Sequence, residues 1–261
     1  MAKVDSNQSD LVNKPTATKY YPGSAIEGCN YNFKTIQKNT TYKHYRTNHF
    51  KILHQNARGL SRKIDEFLIS LLPNSPQILC LTEHHLRNEE IANVNVDQYT
   101  LGTQFCRQTY KQGGVCIYVS NDIQFSTINL EQHDREKDLE ICALKMRILS
   151  YSFIIICIYR SPLGNFDYFL NQLESMLNKI YKVSTDLILC GDFNINHSDT
   201  HRKLLLESLL ASYNLLSTVN FPTRIFNNSS TLLDNIYINM NRYTFLISPL
   251  LMDCQTTTPK F

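Results

Sequence analysis

No two of the eight cysteines in this 261-residue chain stand at Cys-x-x-Cys spacing, which argues against zinc, whose ligands usually arrive as close pairs. No apolar run is long enough to cross a bilayer: the longest, Phe153 to Tyr159, is far short of the ~20 residues a spanning helix needs. The opening residues Met1-Ala2-Lys3-Val4-Asp5-Ser6-Asn7 have no apolar core for a signal peptide. No dense basic tract is present, and a net charge of +3 with a pI near 8.3 permits a DNA partner without demanding one. Gly113-Gly114 lacks the Lys-Ser/Thr of a nucleotide loop, so a hairpin turn before Val115 is the better reading. No histidine follows His201. The chain therefore reads as intracellular and reduced, with no membrane segment. Cys80, Cys116, Cys157 and Cys190 lie inside apolar runs, where a thiol behaves as a small hydrophobe.

With 43% hydrophobic residues the chain has enough apolar surface for one large core, and no second domain is required. Residues 1–48 are rich in Asn, Thr, Lys and Tyr without sustained periodicity and read as a flexible polar leader. From residue 49 the pattern changes. Short apolar runs at 50–54, 77–81, 114–119, 139–146, 152–159, 186–190, 232–238 and 244–248 predict strands. Asn165 to Tyr181 and His201 to Tyr213 repeat apolar residues on one helical face. Strands interspersed with helices that coat a sheet predict an α/β fold, a four-layered α/β/β/α sandwich over 49–261.

Five of these runs end in groups suited to metal or phosphate: Gln55-Asn56-Ala57-Arg58, Thr82-Glu83-His84, Tyr159-Arg160-Ser161-Pro162, Gly191-Asp192-Phe193-Asn194 and Leu233-Asp234-Asn235. A carboxylate such as Asp192 accepts a proton from an attacking water, and an amide such as Asn194 offers a donor and an acceptor to hold that water. Gly191 is expected to let the chain turn sharply toward a ligand. Glu83, a lone acid after Ile78-Leu79-Cys80-Leu81, is costly to bury unless a cation or donor meets it. A few oxygen ligands with room for water and phosphate suit Mg²⁺, with Mn²⁺ as a substitute.

The ordered set resembles the endonuclease/exonuclease/phosphatase superfamily, which includes deoxyribonuclease I and the apurinic/apyrimidinic endonucleases. Asn56-Ala57-Arg58-Gly59-Leu60, Tyr159-Arg160-Ser161-Pro162, Gly191-Asp192-Phe193-Asn194 and Ser230-Thr231-Leu232-Leu233-Asp234-Asn235-Ile236 resemble more narrowly the endonuclease domain of jockey-like non-LTR retrotransposons. The resemblance implies the same sandwich fold and a Mg²⁺-dependent endonuclease. It would nick DNA to expose a 3′ hydroxyl for target-primed reverse transcription, in the nucleus, as a monomer, with a reverse transcriptase elsewhere on the element. It implies that Asn56 contacts phosphate and helps place the metal, that Glu83 is the principal metal ligand and that Asp253 is a second. Tyr159 would touch the scissile phosphate, Asp192 would orient or deprotonate the water with support from Asn194, and Asp234 would pair with a histidine. Arg160, with Arg58 and Arg62, is a candidate for backbone phosphate contact. Many relatives carry an acid where Arg58 stands.

The carboxyl end departs from that pattern. Family members finish in Ser-Asp-His, whereas this chain reads Leu251-Met252-Asp253-Cys254-Gln255-Thr256. Either Cys254 replaces the histidine or a short deletion has drawn Gln255 forward. A thiol with a pKa near ~8.5 is mostly neutral at pH 7 and supplies no positive charge. A site without its histidine is expected to lose at least ~100-fold in rate. His84, His85 or His197 could stand in, but position on a strand end argues against their reach. The other readings are a nucleic-acid-binding relic that keeps the pocket without cutting, and a phosphomonoesterase or sphingomyelinase-like member of the superfamily.

Overall fold

The structure, a computed structural model, describes residues 50–65, 67, 76–148, 151–195, 199–226 and 229–239. The expected leader at 1–48, the strand at 244–248, and the site candidates Asp253 and Cys254 lie outside the described residues.

Two sheets face each other. The first has the order β1 (Ile52–Asn56), β2 (Ile78–Thr82), β4 (Val115–Ser120), β3 (Tyr99–Phe105), with β1 and β2 parallel and the rest antiparallel. The second has the order β5 (Gln124–Ile128), β6 (Glu140–Ile148), β7 (Tyr151–Tyr159), β8 (Asp186–Asp192), β12 (Asp234–Ile238), β9 (Leu216–Ser217). A two-stranded ribbon, β10 (Arg224–Phe226) with β11 (Ser229–Thr231), precedes β12.

The central strands are buried on both faces, which is why they read as continuous apolar runs. Alternation sorts their side chains. On β7, Phe153, Ile155, Cys157 and Tyr159 enter the core between the sheets, while Ile154, Ile156 and Ile158 meet the helices. The parallel β7–β8 pair requires a crossover, supplied by α2 (Phe166–Ile180). Asn165 caps it by accepting from the Tyr168 N–H at 2.9 Å, and Phe166, Phe169, Leu173, Met176 and Leu177 form its buried stripe. α3 (Thr200–Ala211), capped by Asp199, buries Leu206 and Leu210 against the same outer face. The far face of the first sheet is covered by Leu60, Phe67, Leu86, Val96 and the helical turn α1 (Asn88–Ile91). The result is the expected layered sandwich. Among the described residues no helix is long and apolar enough to cross a membrane.

Three local expectations change. β8 runs through Asp192 instead of ending at Cys190, so the acid is a strand residue. Gly191 lies inside that strand, where a Cβ would fall 1.9 Å from the Ile158 carbonyl oxygen. Its lack of a side chain serves close packing of β8 on β7, not approach to a ligand. Gly113 and Gly114 end the long connection between the antiparallel strands β3 and β4, both with φ near +90°. A Cβ on Gly114 would strike the His84 ring.

Candidate active site

The two-residue period of the strands delivers the site. On β8, Ile188 and Cys190 face the inter-sheet core, so Asp192 faces it two residues further on, at the strand's end. The same alternation carries Tyr159 on β7, Asp234 on β12 and Asn56 on β1 to that end of the sandwich. Register then aligns them: Tyr159 pairs with Asp192, Asp192 with Asp234, and Asn56 with Thr82, the residue before Glu83. Residues separated by up to 178 positions in the sequence thus form one row across facing sheets.

Asn56 joins the halves. Its Nδ2 donates to Glu83 Oε1 at 3.0 Å and to Asp192 Oδ2 at 2.8 Å, and its Oδ1 accepts from the Arg58 N–H at 3.1 Å. Glu83 leaves β2 with φ +53°, a left-handed conformation that turns its carboxylate into the cleft. Burial pushes its pKa up, but hydrogen bonds from His85, Asn56 and Tyr159 outweigh burial and hold it below the usual carboxylate range. Asp192 is displaced the opposite way. Burial first, then the charges of Asp234 and Glu83, raise it well above that range, against the Asn56 and Asn194 hydrogen bonds. Asp234 is also raised by burial, with His54, the Thr223 hydroxyl and Arg58 opposing and Glu83 adding to the rise.

Two expected residues act differently in detail. The Asn194 backbone N–H donates to Asp192 Oδ1 at 3.1 Å, while its side-chain Nδ2 donates to the Arg160 carbonyl at 2.8 Å. Arg160 is 1% exposed, and its guanidinium donates to the carbonyls of Phe193, Ser161, Gly164 and Asn194. In this conformation Arg160 braces the loop after β8 and makes no approach to the cleft. Tyr159 hydrogen-bonds Glu83, and burial followed by the Glu83, Asp192 and Glu140 charges keeps its hydroxyl protonated. The Arg107 guanidinium lies 5.7 Å from the Tyr159 ring centre and pairs with buried Glu140, so Tyr159 is held from behind.

Sequence reasoning missed one histidine and argued against the reach of another that the structure brings to the site. His54, fully buried on β1, puts Nδ1 3.9 Å from Asp234 Oδ1. The signal was available, because His54 stands two residues before Asn56 and so shares its face. His85, left-handed at φ +62°, brings Nε2 within 3.5 Å of Glu83 Oε2. His84 is locked instead: its Nδ1 accepts from the Leu86 N–H and its Nε2 donates to the Phe105 carbonyl, both at 3.0 Å. Burial drives its pKa down to about 4, so it is neutral. His197 lies outside the described residues.

The oxygen-rich donor set fits a hard divalent cation. Glu83 and Asp192 flank one amide, and buried Asp234 Oδ1 has no hydrogen-bond partner among the described residues. Three converging carboxylates repel one another until a cation meets them.

A family model described as the endonuclease/exonuclease/phosphatase family matches residues 49–241. The chain belongs to that family. Members of the endonuclease/exonuclease/phosphatase family are generally hydrolases of phosphodiester bonds that depend on divalent metal. Among solved structures, the chain resembles the endonuclease domain of TRAS1, a telomere-specific non-LTR retrotransposon. That match has 16% identity, 72% of this chain, 83% of that one and a TM-score of 0.57. An AP endonuclease from Archaeoglobus fulgidus matches at 16% identity over 73% of this chain and 86% of the other, with a TM-score of 0.53. The AP endonuclease LMAP from Leishmania major matches at 14% identity, 72% and 78% coverage, and a TM-score of 0.55. At these identities the likeness shows the shared fold. A search of curated protein sequences finds no match.

Proposed function

We propose that this chain is a metal-dependent endonuclease of retrotransposon type that nicks DNA to prime reverse transcription. The observation that carries the reading is the Asn56 amide shared between Glu83 of one sheet and Asp192 of the other, with Asp234 in register beside Asp192. Glu83, which keeps its charge most readily, is the metal ligand. Magnesium or manganese held there would polarise the scissile phosphate and offset the charge on the leaving oxygen. Asn56 gives up its carboxylate bonds to contact the phosphate, and the Tyr159 hydroxyl donates to a phosphate oxygen. Asp192, whose pKa is raised by burial and then by the Asp234 and Glu83 charges, takes the proton of the attacking water. Asn194 holds Asp192 through its backbone N–H. Arg58, close enough to act on Asp234 electrostatically, is the basic residue best placed for DNA phosphate.

In this reading the copy is slowed by loss of the carboxyl-terminal histidine, with Cys254 or Gln255 in its place. His54 and His85 stand at the carboxylates but approach from the sheet interior and from the Glu83 loop, so neither donates to the leaving oxygen. A non-cleaving DNA-binding relic is the second reading, favoured by Met252-Asp253-Cys254-Gln255 standing where the family has Ser-Asp-His. The test is Mg²⁺-dependent nicking of supercoiled plasmid, with DNA binding by fluorescence anisotropy in parallel. Cys254→His is expected to raise nicking at least ~100-fold and Glu83→Ala to abolish it. Binding without nicking even in Cys254→His would support the relic. Brisk nicking by the unaltered chain, lost in Glu83→Ala, would remove the impairment from the reading.

A further inference from the structure

One register step below the carboxylate row lies a row of thiols. Cys142 pairs with Cys157 across β6 and β7, and Cys157 with Cys190 across β7 and β8. Cys80 faces them from β2 of the other sheet, with His54 as its β1 neighbour. The sulfurs of Cys80, Cys157 and Cys190 all lie within 4.8 Å of one another, and all three residues are 0% exposed. Four thiolates around a zinc ion at ~2.3 Å stand under 4 Å apart, so small rotamer shifts would bring these sulfurs to coordination distance. Their spacing in the sequence gives no hint of this, because each ligand comes from a different strand.

We propose that Cys80, Cys157 and Cys190 form a buried site for a soft divalent cation of the zinc and cadmium class. Cys157 is its centre: it pairs in register with Cys190 and faces Cys80, while its own Sγ–H donates to the Leu81 carbonyl at 3.8 Å and that of Cys190 to the Ile156 carbonyl at 3.6 Å. Burial raises the Cys80 thiol well above its ordinary range. Soft sulfur ligands favour this class over magnesium. Charge favours a divalent ion over a monovalent one, because three thiolates leave a net charge of about −1 around the former and about −2 around the latter. Binding breaks three S–H bonds, forms three metal–sulfur bonds and passes three protons to the solvent. The ion enters as the sheets close during folding, since the three cysteines are sealed from solvent once the core has formed. It then ties together the two sheets that each supply half of the carboxylate row, ~7 Å above it at two residues' rise along a strand.

The full chain, expressed in zinc-supplemented medium under reducing conditions, is dialysed against EDTA and assayed for zinc before and after unfolding in guanidinium. The expected result is about one zinc per chain that resists EDTA while folded and appears on unfolding. Cys157→Val and Cys80→Val, checked for fold by circular dichroism, lose that zinc to background; Cys106→Val, buried in the separate cluster on the outer face of the first sheet, keeps it. Refolding with cadmium gives a sulfur-to-metal charge-transfer absorption in the wild type and not in Cys157→Val, even if one valine variant fails to fold. Absence of EDTA-resistant zinc together with absence of the cadmium band overturns the proposal, and the thiols are then packed as small hydrophobes. Zinc that persists in folded Cys157→Val, or that follows Glu83→Gln, overturns it equally. Nicking activity enters none of these readouts, so failure here and failure of the endonuclease reading are separate results.

Discussion

Glu83 and Asp192 come from opposite sheets, share one amide and are pushed in opposite directions. The four-stranded half ends in left-handed residues, Glu83 and His85, whose side chains keep some contact with solvent and donors. The six-stranded half ends in Asp192 and Asp234, which are in-register strand residues almost closed to solvent. A carboxylate on a turn is stabilised as an anion; one fixed in a sheet interior beside another acid is not. One half is thereby suited to recruit a cation and the other to accept a proton, although both carry the same functional group.

The sharpest way to break this contrast is to neutralise each acid in turn. Glu83→Gln and Asp192→Asn should each cut nicking by about 10³-fold, within the range for positioned acid–base groups. They should split on stability. In urea unfolding at pH 8 without metal, Asp192→Asn should be more stable than the wild type, because a buried charge disappears, and Glu83→Gln should not. Gain of stability in both would erase the distinction.

Gly191→Ala attacks the six-stranded half alone. Its Cβ would overlap the Ile158 carbonyl, so strands β7 and β8 must separate, at a cost of about 3 kcal/mol at the upper end for overpacking. An unchanged urea midpoint would contradict the tight strand pairing.

The pH dependence follows from the raised groups. Asp192 and Asp234 bind protons more tightly folded than unfolded, so they add stability below the ordinary carboxylate pKa of about 4 that is lost as pH climbs through their raised values. Glu83 contributes the other way, adding stability above that pKa and losing it as pH falls through its lowered value. The metal-free chain should therefore lose stability from about pH 4 upward as the two aspartates ionise, and Mg²⁺ should flatten the decline. A thermal-melt series across pH with and without Mg²⁺ checks both parts.

Smaller effects sharpen the picture. His54→Leu removes the side chain whose Nδ1 stands 3.9 Å from Asp234 Oδ1, and should cost about 1–2 kcal/mol at pH 7 in urea unfolding. Asp134, in the loop before β6, is raised by burial to about 8 while accepting the Ile141 N–H. Asp134→Asn keeps that acceptor and should raise the urea midpoint at pH 9 with no change at pH 4. A midpoint raised equally at both would mean that charge is not the cause.

The central strands were legible because burial on both faces makes their residues apolar throughout, as in Phe153-Ile154-Ile155-Ile156. β3 and β5 were not anticipated. Both are edge strands with half-exposed, polar-rich sequences such as Gln124-Phe125-Ser126-Thr127-Ile128, which form no apolar run. Glu83, Asp192, Asn56 and Asp234 were legible as polar groups ending apolar runs, and the structure gathers them with Tyr159. Arg160 illustrates the converse, since nothing local announces that four backbone carbonyls will occupy its guanidinium.

By itself the sequence determined the strands of the core, the helices that cover them, the family and the residue types at the strand ends, because period, burial and motif are local properties of the chain. Only the tertiary structure decided which faces meet. It set His54 against Asp234, spent Asn56 on two carboxylates, drove the acids of the two sheets in opposite directions and stacked the thiols beneath them. Each of these depends on register across strands and on distance between sheets, which no local pattern encodes.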